Sequence, residues 1–395
     1  MPPSPEIDHS LQLTVRHGVA DITACDWDAL IGEDDQPFVR HAFLSALEQS
    51  GSLRRELGWS AMPLLLYERD TLIGAAPGYL KANSHGEFVF DWSWADAYRR
   101  HGIAYYPKLL VGVPYSPITG PRLLVGDGPD AAQRRGKLVR AIESTVAQLR
   151  LSSAHLNFLS DSDAAALTHD PWLSRFDWQF HFHNRGYPDF EALLSEFTSK
   201  KRKNIRQERR QAAQCGLAVE WLEGAEMSEA NLDDLHALYI ETFDRKGNTP
   251  ALTREFFSMI RERMPQCLHA AVARSGSQIM AAAIYFSSST TLYGRYWGAR
   301  ADLPGMHFEL CYYQGIEYVI RRGLTRFEPG AQGEHKIARG FLPTRTRSAH
   351  LIIHPDFRRA IRGALDQEAQ ALRTYKAELD THSPYREQQQ SADGC

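Results

Sequence analysis

At 395 residues the chain is too long for one ordinary core and suits two domains of roughly 150 residues each. With 43% hydrophobic, 24% charged and 11% aromatic residues it has ample apolar material to bury, which excludes a globally disordered polymer. A formal net charge of -3 excludes a surface that traps nucleic acid over its whole extent, so any polyanion site must be local.

From Leu11 the chain offers a strand, LQLTV, a helical run around DWDALI, a loop EDDQPF, and a helix in HAFLSALEQSG. The apolar runs MPLLLYER and LIGAAPGYLKAN, separated by Asp70 and Thr71, predict a β-hairpin. After FVFDWSWADAYRRHG comes YYPKLLVGVPYSPITGPRLLVGDGP, where recurring prolines forbid a helix and leave strand and loop. An amphipathic helix from Ala131 to Leu151 and a strand, AHLNFLS, close the first half. The same grammar then repeats: WQFHFHNRG as strand, helical material ending at Gly216, LAVEWLE as strand, and helices in NLDDLHALYIETFDRKG and TREFFSMIRERMP. LHAAVARSG and QIMAAAIYFSSS pair across a Ser-Gly-Ser turn, and TTLYGRYWGAR adds a strand.

This grammar predicts an α/β (α+β) protein of two tandem units, each a mostly antiparallel mixed sheet flanked by helices. The expected boundaries are 11–175 and 176–380, with polar, aperiodic and therefore disordered tails at 1–10 and 381–395. The repeat is one of pattern rather than of residues, and it suggests an internal duplication. No stretch approaches 18 apolar residues, and the N-terminus lacks a basic segment followed by an apolar one. Five scattered cysteines without a C-x-x-C pair fit a reducing compartment, so a cytoplasmic protein with free thiols is expected.

The ordered series RKNIRQERRQAAQCGL, YIETFDRKG, AAAIYFSSSTTLYGRYWGA and RFEPGAQGEHKIARGF resembles the FemAB-like predicted N-acyltransferases of the GNAT superfamily. FDWSWADAYRRHG and YYPKLLVGVPYSPITGPRLL extend the resemblance into the first half. It implies two tandem GNAT-like domains that move an acyl or aminoacyl group onto an amine. Acyl-CoA or aminoacyl-tRNA would be the co-substrate, with no permanently bound cofactor, and a peptidoglycan precursor or another small-molecule amine would be the acceptor. tRNA is then a candidate partner, and the resemblance does not fix the oligomeric state.

Attack of an amine on an activated ester or thioester asks the protein to hold both substrates, accept a proton and stabilise an oxyanion. The helix opening at Pro304-Gly305-Met306 places His307 and Glu309 near unpaired backbone N–H groups; Glu309 is the first candidate for proton acceptor and His307 the second. Either residue also reads as a cap or a satisfied buried polar group. In the glycine-bearing stretch Phe327–Phe341, Lys336 and Arg339 lie three apart and could face one phosphate or oxyanion. Lys336 also matches the lysine before a Gly-Phe element that lies, in Fem-type relatives, near the acceptor's phosphate and the reacting carbonyl. The other reading of Lys336 is a solvated charge on a loop.

On a helix, Arg202, Arg206, Arg209 and Arg210 form a basic stripe, either a donor-phosphate site or a solvated face. In the first half Asp96, Lys108 and Arg122 are candidates for lining an acceptor pocket, whereas Trp92 and Trp94 read as core. An Arg/Gln-x-x-Gly-x-Gly/Ala pyrophosphate loop is missing from both halves, which counts against plain acetyl-CoA use. That gap supports the alternative of a non-catalytic GNAT-like binding protein for a polyanionic or lipid-headgroup ligand. The histidines, His181 and His183 included, form no metal-ligand cluster.

Overall fold

The computed structural model describes residues 11–32, 35–245, 247–331 and 333–386. Its chain divides into two units of interleaved segments, Met1–Asp177 with Ala251–Met264 and Arg345–Ala371, and Trp178–Pro250 with Pro265–Thr344 and Leu372–Cys395.

In the first unit β1 (Leu11–Val15), β2 (Trp59–Ala61), β3 (Leu64–Glu68) and β4 (Thr71–Ala76) precede β5 (Gly78–Lys81). The expected hairpin forms between β3 and β4 and is joined by β1. Pro77 divides the second apolar run, because it has no N–H for a ladder, and β5 leaves to pair with β2 and with β6 (Lys108–Val111). Helix α1 (Trp92–Arg100) precedes β6, and helix α2 (Ala131–Gln148) crosses over to β7 (Ser153–Asn157), which runs parallel to β6. Leu138, Val139, Ile142 and Val146 of α2 are buried among Leu109, Val111, Ala154 and Leu156. Their spacing is the apolar stripe that makes this segment helical.

The chain enters the second unit along β8 (Trp172–His183) and continues through helix α3 (Ser199–Gln214), β9 (Ala218–Glu223), β10 (Leu268–Ser275), β11 (Gln278–Ser287) and β12 (Thr291–Ala299). β9 to β12 form an antiparallel meander. A helix, here α4, runs through Met306–Phe308, Glu309–Tyr313 and Gln314–Arg322 to β13 (Arg326–Glu328), which lies parallel to β12. β14 (Leu342–Ile352) and a long helix, Pro355–Thr381, are the last elements among the described residues.

Each unit's parallel crossover is completed by a strand that is not the next one in sequence. β8 follows β7 but pairs antiparallel with β13, while β14 follows β13 but pairs antiparallel with β7. Each unit thus repeats one order: an antiparallel pair, a parallel crossover through a helix, and a final antiparallel strand. The repeated grammar has a structural counterpart, and the return of β14 to β7 gives the first unit one of its segments from late in the chain. The expected border at 175/176 falls inside β8.

Residues 381–386 are not a loose tail. Tyr385 is paired with Phe197, its hydroxyl donates to the Gly340 carbonyl at 3.0 Å, and the Thr198 N–H donates to the Pro384 carbonyl at 2.9 Å. The aromatic ring supplies an anchor that polar composition conceals. The expected tails at 1–10 and 387–395 lie outside the described residues.

Candidate active site

In the second unit the parallel pair β12–β13 is short. It pairs Thr291 with Arg326, Leu292 with Phe327 and Tyr293 with Glu328; Pro329, which has no N–H, and Gly330, at φ +100°, then turn the chain away. β12 continues to Ala299, so its backbone from Gly294 onward loses that neighbour. On its other edge the register with β11 slips: Ile284 faces Tyr296, but Tyr285 faces Gly294, leaving Arg295 as a bulge. The slip and the splay enclose a cavity of about 100 Å³, lined by Ala283–Tyr285, Gly294–Trp297, His307, Cys311, Tyr312 and Pro329. Gly294 permits the close passage of β13's exit, since a Cβ there would sit 3.2 Å from Pro329 Cα.

α4 supplies the opposite wall. Its Glu309–Tyr313 segment is a π turn, in which the i to i+5 pattern widens the helix. Five residues span about 500° in an α-helix and would put His307 and Tyr312 on different faces. The π turn returns them to one face, with ring centroids 5.6 Å apart and both at the cavity. The buried Tyr285 hydroxyl donates to the Leu310 carbonyl within this turn. His307 packs edge-on to Trp297 at 5.2 Å. The Tyr312 hydroxyl lies 2.9 Å from His335 Nε2. Burial pushes the Tyr312 phenol well above its ordinary range. Burial, with Arg339 and Lys336 nearby, pulls His335 below its usual value, which favours a neutral ring.

Lys336 sits in the 3₁₀ segment Glu334–Arg339, 2% exposed, and its Nζ donates to the Gly330 carbonyl at 2.7 Å. Burial lowers its pKa to about 8, opposed by Cys311, whose own thiol burial pushes up. The solvated-loop reading of Lys336 therefore gives way to a buried ammonium coupled to a group on the cavity wall.

The remaining candidates of this unit hold helices together. Glu309 is buried and accepts two hydrogen bonds from Arg209, at 3.1 and 2.9 Å, plus one from Gln314 at 2.8 Å. Arg209 also donates to Glu317 at 2.6 Å. Arg339 is 6% exposed, donates twice to Glu208 at 3.1 and 2.7 Å, and has its guanidinium 3.6 Å from the Phe308 ring centroid. Lys336 and Arg339, three apart as noted, thus turn to different partners. The expected stripe on α3 is kept in part: Arg202 donates to the Phe197 carbonyl at 2.7 Å, while Arg206, in an exposed 2.6 Å pair with Glu191, lines one open pocket with Arg209 and Arg210. α3 packs directly on the start of α4, where a Cβ at Gly305 would lie 2.7 Å from the Glu208 carbonyl. The helix start expected to attract an anion is covered there by backbone.

A family model described as peptidoglycan biosynthesis/recognition, FemAB-like, matches residues 18–387. The chain belongs to the FemAB-like family. No curated protein matches this FemAB-like sequence. Its fold is similar to the crystal structure of FemX, at 11% identity and a TM-score of 0.52 over 88% of this chain and 100% of that one. L-PGS from Bacillus licheniformis matches at 12% identity, TM-score 0.48, over 85% and 98%. A tandem GNAT protein from the clavulanic acid biosynthesis pathway matches at 12%, TM-score 0.40, over 87% and 99%. The fold is a mixed α/β arrangement of two units, similar to that of FemX. Among the described residues no helix is long and apolar enough to cross a membrane.

In the first unit of the FemAB-like chain the three candidates are scattered in role. Asp96 lies on the outer face of α1, paired with Arg99 and, at 3.2 Å, with Arg100. Arg122 is fully buried and donates to the carbonyls of Asn157 and Pro121, each at 2.9 Å, and of Ile118, so it braces a loop. Lys108 is fully buried against Glu87, at 2.9 Å, and Asp91. Burial opposes the Lys108 charge, but the two carboxylates outweigh it and raise its pKa. From Asp91 the network runs through the Tyr105 hydroxyl, 2.6 Å away, to His155 at 3.2 Å and on to His350, whose Nδ1 is 2.8 Å from His155 Nδ1. Trp94 is buried as expected, but Trp92 is 42% exposed. It occupies the first position of α1, two residues off the buried face that Trp94 and Tyr98 form at i, i+4.

The sequence reading missed Tyr312, His335, Trp297 and Cys311. Helical spacing separates Tyr312 from His307, and only the π turn unites them.

Proposed function

We propose that this protein is an N-acyltransferase that moves an acyl or aminoacyl group from an activated donor, acyl-CoA or aminoacyl-tRNA, to an amine of a peptidoglycan precursor. The observation that carries the reading is the convergence of His307 and Tyr312 on a cavity between splayed parallel strands, beside buried Lys336. The donor's acyl group would enter alongside β12, whose backbone groups beyond Tyr293 lack β13 as a partner strand. The acceptor nitrogen attacks the carbonyl carbon, the C–O or C–S bond of the donor breaks, and the amine proton passes to the leaving oxygen or sulfur. His307 is the proton carrier in this scheme, a role that moves from Glu309 because the ion pair with Arg209 occupies that carboxylate. In this scheme His335 Nε2–H donates to the Tyr312 oxygen, which leaves the Tyr312 O–H to donate to the developing oxyanion, and the Lys336 charge stabilises it from its buried position beside Cys311. A cavity of about 100 Å³ suits an acyl group of a few heavy atoms.

Family membership supports the choice of acceptor, and free thiols at Cys25, Cys215 and Cys311 support a cytoplasmic setting. The test is turnover: purified protein with labelled acyl-CoA or aminoacyl-tRNA and a peptidoglycan precursor should yield an acylated amine. Ribonuclease treatment that removes activity would select the tRNA donor. Retention of donor without consumption would favour the non-catalytic alternative.

A further inference from the structure

The exposed tryptophan and phenylalanine side chains of the described residues all lie within five positions: Phe88, Phe90 and Trp92, at 40%, 51% and 42% exposure. Five residues span at most about 14 Å of chain, which keeps the three exposed rings within one region of the surface. Neighbouring residues hold this segment down. Glu87 and Asp91 are buried and grip Lys108 from either end, and the Phe90 carbonyl accepts from Arg175 at 2.7 Å. Phe88 has φ +59°, a conformation that a bulky side chain adopts only when its surroundings impose it. The fold therefore spends buried charge and backbone strain to present apolar rings to solvent, the reverse of what stability alone would select.

The surroundings of the patch favour one partner. Trp92 begins α1, and Arg99, seven positions on, falls on the same stripe with its side chain 77% exposed, beside Arg100 at 65%. Against these two guanidinium groups stands one carboxylate, Asp96, which leaves the face net positive. Ile103, 38% exposed, follows just beyond the helix. Clustered aromatic rings beside exposed arginines match the interfacial zone of an anionic bilayer, where rings sit at headgroup level and arginines meet lipid phosphates. We infer that the 88–92 segment with the outer face of α1 is a docking surface for an anionic lipid membrane, which the protein meets peripherally. This inference does not depend on the acyltransferase reading.

The full-length protein would be centrifuged with phosphatidylcholine vesicles and with vesicles containing about one third phosphatidylglycerol, and its tryptophan fluorescence measured with brominated lipids. Sedimentation with the anionic vesicles, bromolipid quenching, and at least a tenfold loss of binding in a triple variant, Phe88→Ser, Phe90→Ser and Trp92→Ser, are expected. Arg99→Glu should weaken binding to anionic vesicles while leaving the aromatic rings in place. If the triple variant fails to fold, quenching of the native protein and the Arg99→Glu variant still decide the matter. Absence of sedimentation and quenching would overturn the inference, as would equal binding by the variants, or retention on insoluble glycan or another protein with indifference to vesicles.

Discussion

His307 and Tyr312 stand five residues apart in one helix, yet their rings lie 5.6 Å apart on one cavity wall because the Glu309–Tyr313 turn is π-helical. This relationship defines the site. Replacing His307 with Ala should lower kcat/KM by about 100-fold if it carries the amine proton, and Tyr312→Phe by about tenfold or more. Circular dichroism should show both variants folded, since Tyr312→Phe keeps the buried ring in place and His307→Ala removes atoms at the cavity wall.

Lys336 gives the reaction a pH signature. Its folded pKa of about 8 lies below the ordinary lysine value of 10.5, because burial disfavours the charge. Activity that needs the ammonium should fall as pH rises through about 8, and Lys336→Met should lose both activity and that limb of the profile. The stability effect has the opposite sense. Between about 8 and 10.5 the unfolded chain holds a proton that the folded protein has released, so stability contributed by this site rises with pH across that window. Urea unfolding of the Lys336→Met variant should lack this rise.

Glu309 and Glu208 are expected to act on stability rather than chemistry. Glu208→Ala strands the buried Arg339 guanidinium and should cost roughly 3 kcal/mol, read from urea midpoints. Glu309→Gln should lower Tm by weakening the Arg209 clamp, with kcat of the folded fraction within a few fold of the native value. A loss of kcat comparable to that of His307→Ala would return the proton-acceptor role to Glu309.

On the acid side the buried pair His155–His350 should dominate. Burial, with Lys108 adding to it, holds His155 at about 3, and burial with His155 nearby holds His350 well below its usual value. Both rings are neutral when folded, and below about pH 6.5 the unfolded chain takes up protons that the folded protein refuses. Stability should therefore fall as pH drops from about 6.5, and a His350→Phe variant should show a shallower fall in urea titrations.

The fold was largely legible in sequence because its determinants are local. The stripe of Leu138, Ile142 and Val146 specifies a helix, and the paired runs around Asp70 specify a hairpin. The return of β14 to pair with β7, and of β8 to pair with β13, was not legible, since no local pattern encodes which distant edge a strand joins. At the site, Lys336 was found through resemblance, and His307 through its place at a helix start. Tyr312 and His335 stayed hidden because the π turn and the 2.9 Å contact between them exist only in three dimensions. Arg209, Arg339 and Glu309 carried the right chemistry for a site, but the sequence could not reveal that they satisfy acidic and basic partners on packed helices. Trp92 departed from the expected core because its neighbours Glu87 and Asp91, both polar in sequence, take the buried positions.

The central claim is that the second unit's cavity performs acyl transfer to an amine. The most direct measurement follows a labelled acyl group from acyl-CoA or aminoacyl-tRNA to a peptidoglycan precursor by mass spectrometry, comparing native protein with His307→Ala and Lys336→Met. The account predicts an amide-linked product with one of the two donors and its loss in both folded variants. Absence of product with both donors, or undiminished product in both variants, would contradict it.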